Sequence, residues 1–197
     1  VPIVMPPTPH SARYLRTIAA KSGDGIVIRH HQGDGEQLFY LSWCHGPAGT
    51  ARLYDRLDTI EPAAGWRATE DACATGTIAQ GIPERRTAGF WNNISQCCGN
   101  AGVAEYFLGR FARTRKAADL AYARRHADDL LQLGTTEGDR ERWVQAENRT
   151  SPTDTAAQTG WMQGAAGVGA LLLGLDAAMG NGRRRRVVVF PDSPYVA

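Results

Sequence analysis

Apolar positions recur at helical spacing in several stretches of this chain. After Gly102, Val103, Phe107 and Phe111 stand at i, i+4 and i+8, with Tyr106 beside them. After Gly167, the residues Val168, Leu171, Leu172, Leu175 and Met179 make a continuous apolar stripe. Both patterns predict an amphipathic helix with one face in a core. A shorter helix is predicted after Gly49, carrying Leu53, Tyr54 and Leu57. A fourth fits Lys116 to Leu133, with Leu120, Ala127, Leu130 and Leu131 on one face, Arg and Asp on the other, and Gly134 as its stop. Strand patterning is sparse and confined to Gly25–Arg29 and Val187–Phe190. The pattern predicts a mainly α chain of about six helices.

Three of these helices follow one repeated motif. The segments are Trp43-Cys44-His45-Gly46-Pro47-Ala48-Gly49, Gln96-Cys97-Cys98-Gly99-Asn100-Ala101-Gly102 and Trp161-Met162-Gln163-Gly164-Ala165-Ala166-Gly167. Each ends in Gly-x-Ala-Gly, and their first glycines stand 53 and then 65 residues apart. That interval suits one helical hairpin and its loops per repeat. Glycine at the mouth of a helix lets the backbone turn tightly and lets neighbouring helices approach.

With 197 residues the chain is long enough for one domain with a sizeable core. Hydrophobic residues at 43% and charged residues at 21% are ordinary for a soluble globular protein. A net charge of +2 selects no partner, and the expectation is of no nucleic-acid partner. Apolar runs are broken too often for a membrane span. Of the four cysteines, Cys97 and Cys98 are adjacent, and a disulfide between neighbours is strained. Reduced thiols, and so a cytoplasmic protein, are expected.

Cys44 and the Cys97-Cys98 pair occupy equivalent places in successive repeats. In a folded array such places lie close together, and three thiols would meet at helix N-termini, where free amides and the helix dipole favour thiolate. Three converging thiolates repel one another unless a cation joins them. Zinc does so, accepting sulfur at about 2.3 Å in a tetrahedron. The candidate ligands are therefore Cys44, Cys97 and Cys98, with Cys97 and Cys98 at a bend before the helix. The alternative is that these are small buried hydrophobes. Cys73 lies outside the motif and reads as a packing residue.

The first motif resembles the Trp-Cys-Tyr-Gly-x-Pro-Gly signature of lanthionine synthetase C-like proteins. The second resembles their Cys-Cys-Gly motif, and Gly160 to Asp176 and Pro191 to Tyr195 resemble the family's ending. The similarity covers about residues 35–197. It implies an all-α fold, an α/α toroid in which inner and outer helices alternate around an axis. It implies zinc held by Cys44, Cys97 and Cys98. The implied chemistry is thioether formation, a peptide cysteine thiolate adding to dehydroalanine or dehydrobutyrine, and the implied partner is a dehydrated precursor peptide. A full toroid has seven hairpins. This chain matches about the last three, with 35–197 carrying the motif-bearing repeats and 1–34 a partial upstream element. A start partway through a longer product is expected, with an upstream half-toroid or another synthetase domain as a further partner. The family's upstream Asp and His have no counterpart here, so weak turnover by this chain alone is expected.

His45 stands where the family's first motif has Tyr. Beside a metal it is a candidate general acid or base, and otherwise it orients a ligand or packs. His30-His31 reads as an exposed loop before a turn at Gln32–Gly35, with metal binding the alternative. Arg183–Arg186 reads as a solvated run, or as a grip for an acidic peptide. Phe90 to Asn93 suits either a peptide groove or an aromatic core. A glycosidase would need two facing carboxylates, and the spacing of Glu84, Glu105 and Glu147 pairs none. A non-catalytic zinc-binding or peptide-binding module is the other function class.

Overall fold

A computed structural model describes residues 9–31, 33, 37–91 and 93–180. Among them are six α-helices: α1 (Pro9–Thr17), α2 (Pro47–Ile60), α3 (Trp66–Ala79), α4 (Asn100–Thr114), α5 (Ala117–Leu133) and α6 (Ala165–Met179). Three small antiparallel pairs join them: β1 (Ala20–Ser22) with β2 (Gly25–Val27), β3 (Thr135–Glu137) with β4 (Arg140–Arg142), and β5 (Val144–Ala146) with β6 (Thr155–Ala157). The chain is thus mostly helical but not purely so. The strand expected over Gly25–Arg29 is shorter, ending at Val27. Those expected at Val187–Phe190, with Arg183–Arg186 and Pro191–Tyr195, lie outside the described residues.

The motif-bearing helices α2, α4 and α6 lie side by side, α4 in the middle, with α3 packed on α2 and α5 on α4. The apolar stripes face this contact. Tyr54, Leu57, Trp66, Cys73, Val103, Phe107 and Tyr122 share one core cluster, while Ala104, Leu130, Trp143, Val168 and Leu171 share a second. Helix α2 is not the short one its sparse stripe suggested. It has 14 residues against 15 for α4 and α6, because buried Ala48, Ala51 and Asp55 extend its inner face.

Charge is buried between these layers. Glu70 of α3 is fully buried and accepts from Arg110 and Arg113 of α4 and from the Tyr106 hydroxyl. Arg110 also reaches Asp71 at 2.7 Å and Asp119 of α5 at 3.3 Å. Arg67 clamps Asp55 and Asp58 of α2 at 2.6 and 2.8 Å. A buried carboxylate needs such partners, since an unpaired one costs several kcal/mol.

Gly134 does stop α5, but with φ −66 it is extended rather than left-handed. Space is the reason for glycine there: a Cβ would meet the Glu141 carboxylate.

Candidate metal centre

Each motif folds into the same loop. Gly46, Gly99 and Gly164 are the residues just before α2, α4 and α6, all with extended backbone (φ −102, −122 and −143). These angles suit any residue. What demands glycine is contact within the loop: a Cβ would strike the carbonyl oxygen six residues back, that of Tyr40, Asn93 or Gln158. The last glycine of each motif repeats this against Trp43, Gln96 and Trp161. The close approach is therefore of the loop to itself and, at Gly102 and Gly167, to Ser42 and Gln96 of the preceding motif loop.

This folding also consumes the helix N-termini. The amides of Gly46 and Gly49 donate to the Ser42 carbonyl, those of Gly99 and Gly102 to Ser95, and Ala101 to Ile94. The free amides expected to favour thiolate are thus committed to loop carbonyls.

Main-chain bonds then join the loops in sequence. The Cys44 amide donates to the Cys97 carbonyl at 3.1 Å, and the Cys97 amide donates to the Met162 carbonyl at 3.0 Å. These are equivalent positions of successive motifs. Ser42 Oγ donates to Gly99 O and Gln96 Nε2 to Gly167 O, each at 3.0 Å. Ser95 Oγ, itself held on Asn93 Oδ1 at 2.7 Å, receives the Cys98 amide at 3.2 Å. Cys97 and Cys98 consequently turn their side chains out of the bend before α4.

The outcome is a cluster of three half-buried thiols, Cys44, Cys97 and Cys98, whose sulfurs all lie within 4.8 Å of one another. Cys44 Sγ is 3.0 Å from Cys98 Sγ, and Cys98 Sγ is 3.5 Å from Cys97 Sγ. Hydrogen bonding from Cys44, then from Cys98, pulls Cys97 well below the usual thiol range, and the charge of His45 adds to this. The two donors are pushed up in turn. Sulfurs bound tetrahedrally to zinc at about 2.3 Å stand about 3.8 Å apart. A small opening of the cluster reaches that spacing, and three soft donors suit zinc. Cys73 is elsewhere, fully buried on α3, its thiol pushed up to about 12 by burial and by Glu70.

His45 is exposed beside the cluster. Its ring is 4.4 Å from that of His30, which also packs on Tyr40 at 4.3 Å. The His30-His31 segment is therefore not simply an exposed loop. His31 is exposed, but His30 is half-buried against the site, with its Nδ1 2.6 Å from that of His31. Burial lowers the pKa of His30, helped by His45, His31 and Arg149. Tyr40 and Arg149 complete this rim. Burial raises the Tyr40 hydroxyl, the charge of Arg149 and a hydrogen bond from it oppose this, and the Cys98 and Cys44 thiols add to the rise. Of these residues only His30 was singled out in the sequence; Tyr40 and Arg149 carried no signal, since Arg149 comes from the far side of β5, more than 100 residues from Tyr40.

The sequence matches the family described as lanthionine synthetase C-like protein over residues 11–180. The chain belongs to the lanthionine synthetase C-like family. The family match starts well before residue 35, taking in most of α1 and the β1–β2 pair. No curated protein matches the chain by sequence. The lanthionine synthetase C-like motifs thus account for the thiol cluster but not for the rim around it.

Other candidates resolve structurally. Phe90 and Trp91 are buried core residues, while Asn92 lies outside the described residues. Glu84 pairs with Arg125, Glu147 accepts from Gln158, and Glu105 lines a shallow cleft with Trp43 and Arg52, so no two of these carboxylates face each other. Among the described residues, no helix is long and apolar enough to cross a membrane.

Proposed function

We propose that this chain is a zinc-dependent cyclase of the lanthionine synthetase type, adding a peptide cysteine thiolate to dehydroalanine or dehydrobutyrine to form a thioether. The convergence of Cys44, Cys97 and Cys98 within 4.8 Å carries the reading. Cys44, Cys97 and Cys98 hold the metal. Zinc bound by three cysteines would lower the pKa of an incoming substrate thiol and fix its sulfur in place. His45, exposed at the edge of the cluster, is placed to exchange the proton that the reaction moves from sulfur to carbon. His30 packs against it and steadies its ring. In this reading the row of α2, α4 and α6 is the inner wall of an α/α toroid, with α3 and α5 outside it. The partner is a dehydrated precursor peptide that reaches the thiols from the motif loops.

The test is to incubate the zinc-loaded chain with a dehydrated, cysteine-containing peptide and follow free thiol. Slow loss that Cys97→Ala abolishes is expected. Loss at the same rate in Cys97→Ala overturns the reading. Full zinc occupancy without any thiol loss is the result that a non-catalytic zinc-binding module would give.

A further inference from the structure

We propose that the cleft between α2 and α4 is a subsite for the precursor peptide, taking an apolar side chain next to the reacting cysteine. The proposal rests on the cyclase reading above.

All three motif loops reach this cleft. Trp43 comes from the first, Gln96 from the second and Met162 from the third. Trp43 precedes Cys44 and Gln96 precedes Cys97, while Met162 holds the cysteine position of its own motif. Small residues open the space, since Ala48 of α2 and Gly102 of α4 line it where larger ones would fill it. One turn further along, Arg52 of α2 and Glu105 of α4 border it.

The walls are tied to the ligand-bearing loops. The amides of Trp43 and Cys44 both donate to the Cys97 carbonyl at 3.1 Å, and the Cys97 amide donates to the Met162 carbonyl at 3.0 Å. Gln96 Nε2 is held on Gly167 O at 3.0 Å. The Arg52 guanidinium carbon lies 5.9 Å from the centre of the Trp43 ring, a cation–π contact that steadies the indole. Yet Trp43 stays 37% exposed, whereas Trp66, Trp91 and Trp143 keep 7% or less. An indole held in place but left partly uncovered in an apolar cleft is a surface for another apolar group.

Position and chemistry select the occupant. Consecutive residues of a peptide stand about 3.8 Å apart at Cα, the same step that separates Cys44 from Trp43. A peptide whose cysteine sulfur reaches the thiol cluster therefore has its adjoining residue within reach of Trp43. The Met162 thioether adapts to aliphatic and aromatic neighbours alike. One cation, Arg52, and one anion, Glu105, border the cleft, so an acidic or a basic side chain would meet a like charge there. The occupant is accordingly uncharged and apolar, with leucine the simplest case. Because the cleft is shallow, this side chain lies across the indole.

The probes are two capped tripeptides, N-acetyl-Leu-Cys-Leu-amide and N-acetyl-Gly-Cys-Gly-amide, titrated into the zinc-loaded chain. The wild type is expected to bind the leucine peptide about tenfold more tightly, the scale of burying much of one leucine side chain. Trp43→Ala and Met162→Ala should each remove most of this preference and leave the affinity for the glycine peptide unchanged, since both keep the main-chain bonds. A second measurement uses the wild type alone, so it stands even where a variant fails to hold zinc. With isotope-labelled methionine methyl groups, the Met162 NMR signal should shift further with the leucine peptide than with the glycine one. Equal affinity for the two peptides in the wild type, or a Met162 signal that answers both alike, overturns the subsite alone. So does a preference that survives both substitutions. Failure to take up either peptide through its thiol overturns the cyclase reading on which the subsite depends.

Discussion

At the scale of single residues, three thiols brought within 4.8 Å of one another make a donor set for a soft cation. Sulfurs at 3.0 and 3.5 Å are held by S–H hydrogen bonds, so no more than one of them is comfortable as thiolate. Zinc bound by all three would hold them together as thiolates. Cys44→Ala, Cys97→Ala and Cys98→Ala should each lose most of about one equivalent of zinc, and Cys73→Ala should keep it, as read by metal analysis of the purified variants. His126 provides a second prediction at this scale. It is fully buried on α5, edge-on to Tyr122 and Phe90, with both ring nitrogens lacking a hydrogen-bond partner. Burial lowers its pKa to about 3 from 6.5. The unfolded chain then binds a proton that the folded one refuses, so stability falls as pH drops from 6.5 toward 3. At pH 5 the loss is about 2 kcal/mol. Urea melts at pH 7 and pH 5 should show it, and His126→Leu should flatten the difference. The ligands were legible in the sequence because Cys44 and Cys97 repeat within a motif. Tyr40 and Arg149 were not, and His30 was noticed without its packing on His45, since no spacing joins residues that only the fold brings together.

At the scale of elements, the motif loops depend on bare backbone. In Gly102→Ala the new methyl would meet the Gln96 carbonyl and the Ser42 hydroxyl, the latter being the group that bonds Gly99. Overpacking of this kind costs about 1–3 kcal/mol, and here it should also weaken zinc binding. Gly169→Ala is the control. It lies inside α6 with nothing near its missing Cβ, and it should stabilise by about 0.5–1 kcal/mol. Thermal melts and zinc titrations of the two variants separate the effects. The ion network behaves differently again. Arg110→Ala leaves buried Glu70 only Arg113 and the Tyr106 hydroxyl and should cost about 1.5–3 kcal/mol, whereas Arg125→Ala removes an exposed pair with Glu84 and a contact over the Tyr122 ring and should cost about 0–1 kcal/mol. Denaturant midpoints check both. Helices α4, α5 and α6 could be read directly, since an apolar stripe marks each and Gly134 marks the end of α5. Helix α3 could not, because after Trp66 its inner face is Thr, Glu70, Cys73, Ala and Gly, with no stripe of large apolar residues. The β3–β4 pair is polar and exposed along its whole length, so no alternation announces it.

At the scale of the whole molecule, three repeats act together because their loops are joined edge to edge rather than only through helix packing. A zinc ion held by the three cysteines would tie the first loop to the second, whereas the third loop has Met162 in the cysteine position. A chelator should therefore lower the melting temperature of the whole array, since the two tied loops seat α2 and α4, the helices that meet α3 and α5. The main-chain relay also sets a gradient in amide hydrogen exchange. The Trp43 and Cys44 amides reach solvent deuterium only when the first two loops part, and the Cys97 amide only when the second and third part. Loading the chain with zinc should slow exchange at Trp43 and Cys44 by the full stabilisation of the clamp. Exchange at Cys97 should slow less, although its thiol would be a zinc ligand, because its amide reports the seam between the second and third loops, where Met162 replaces a cysteine.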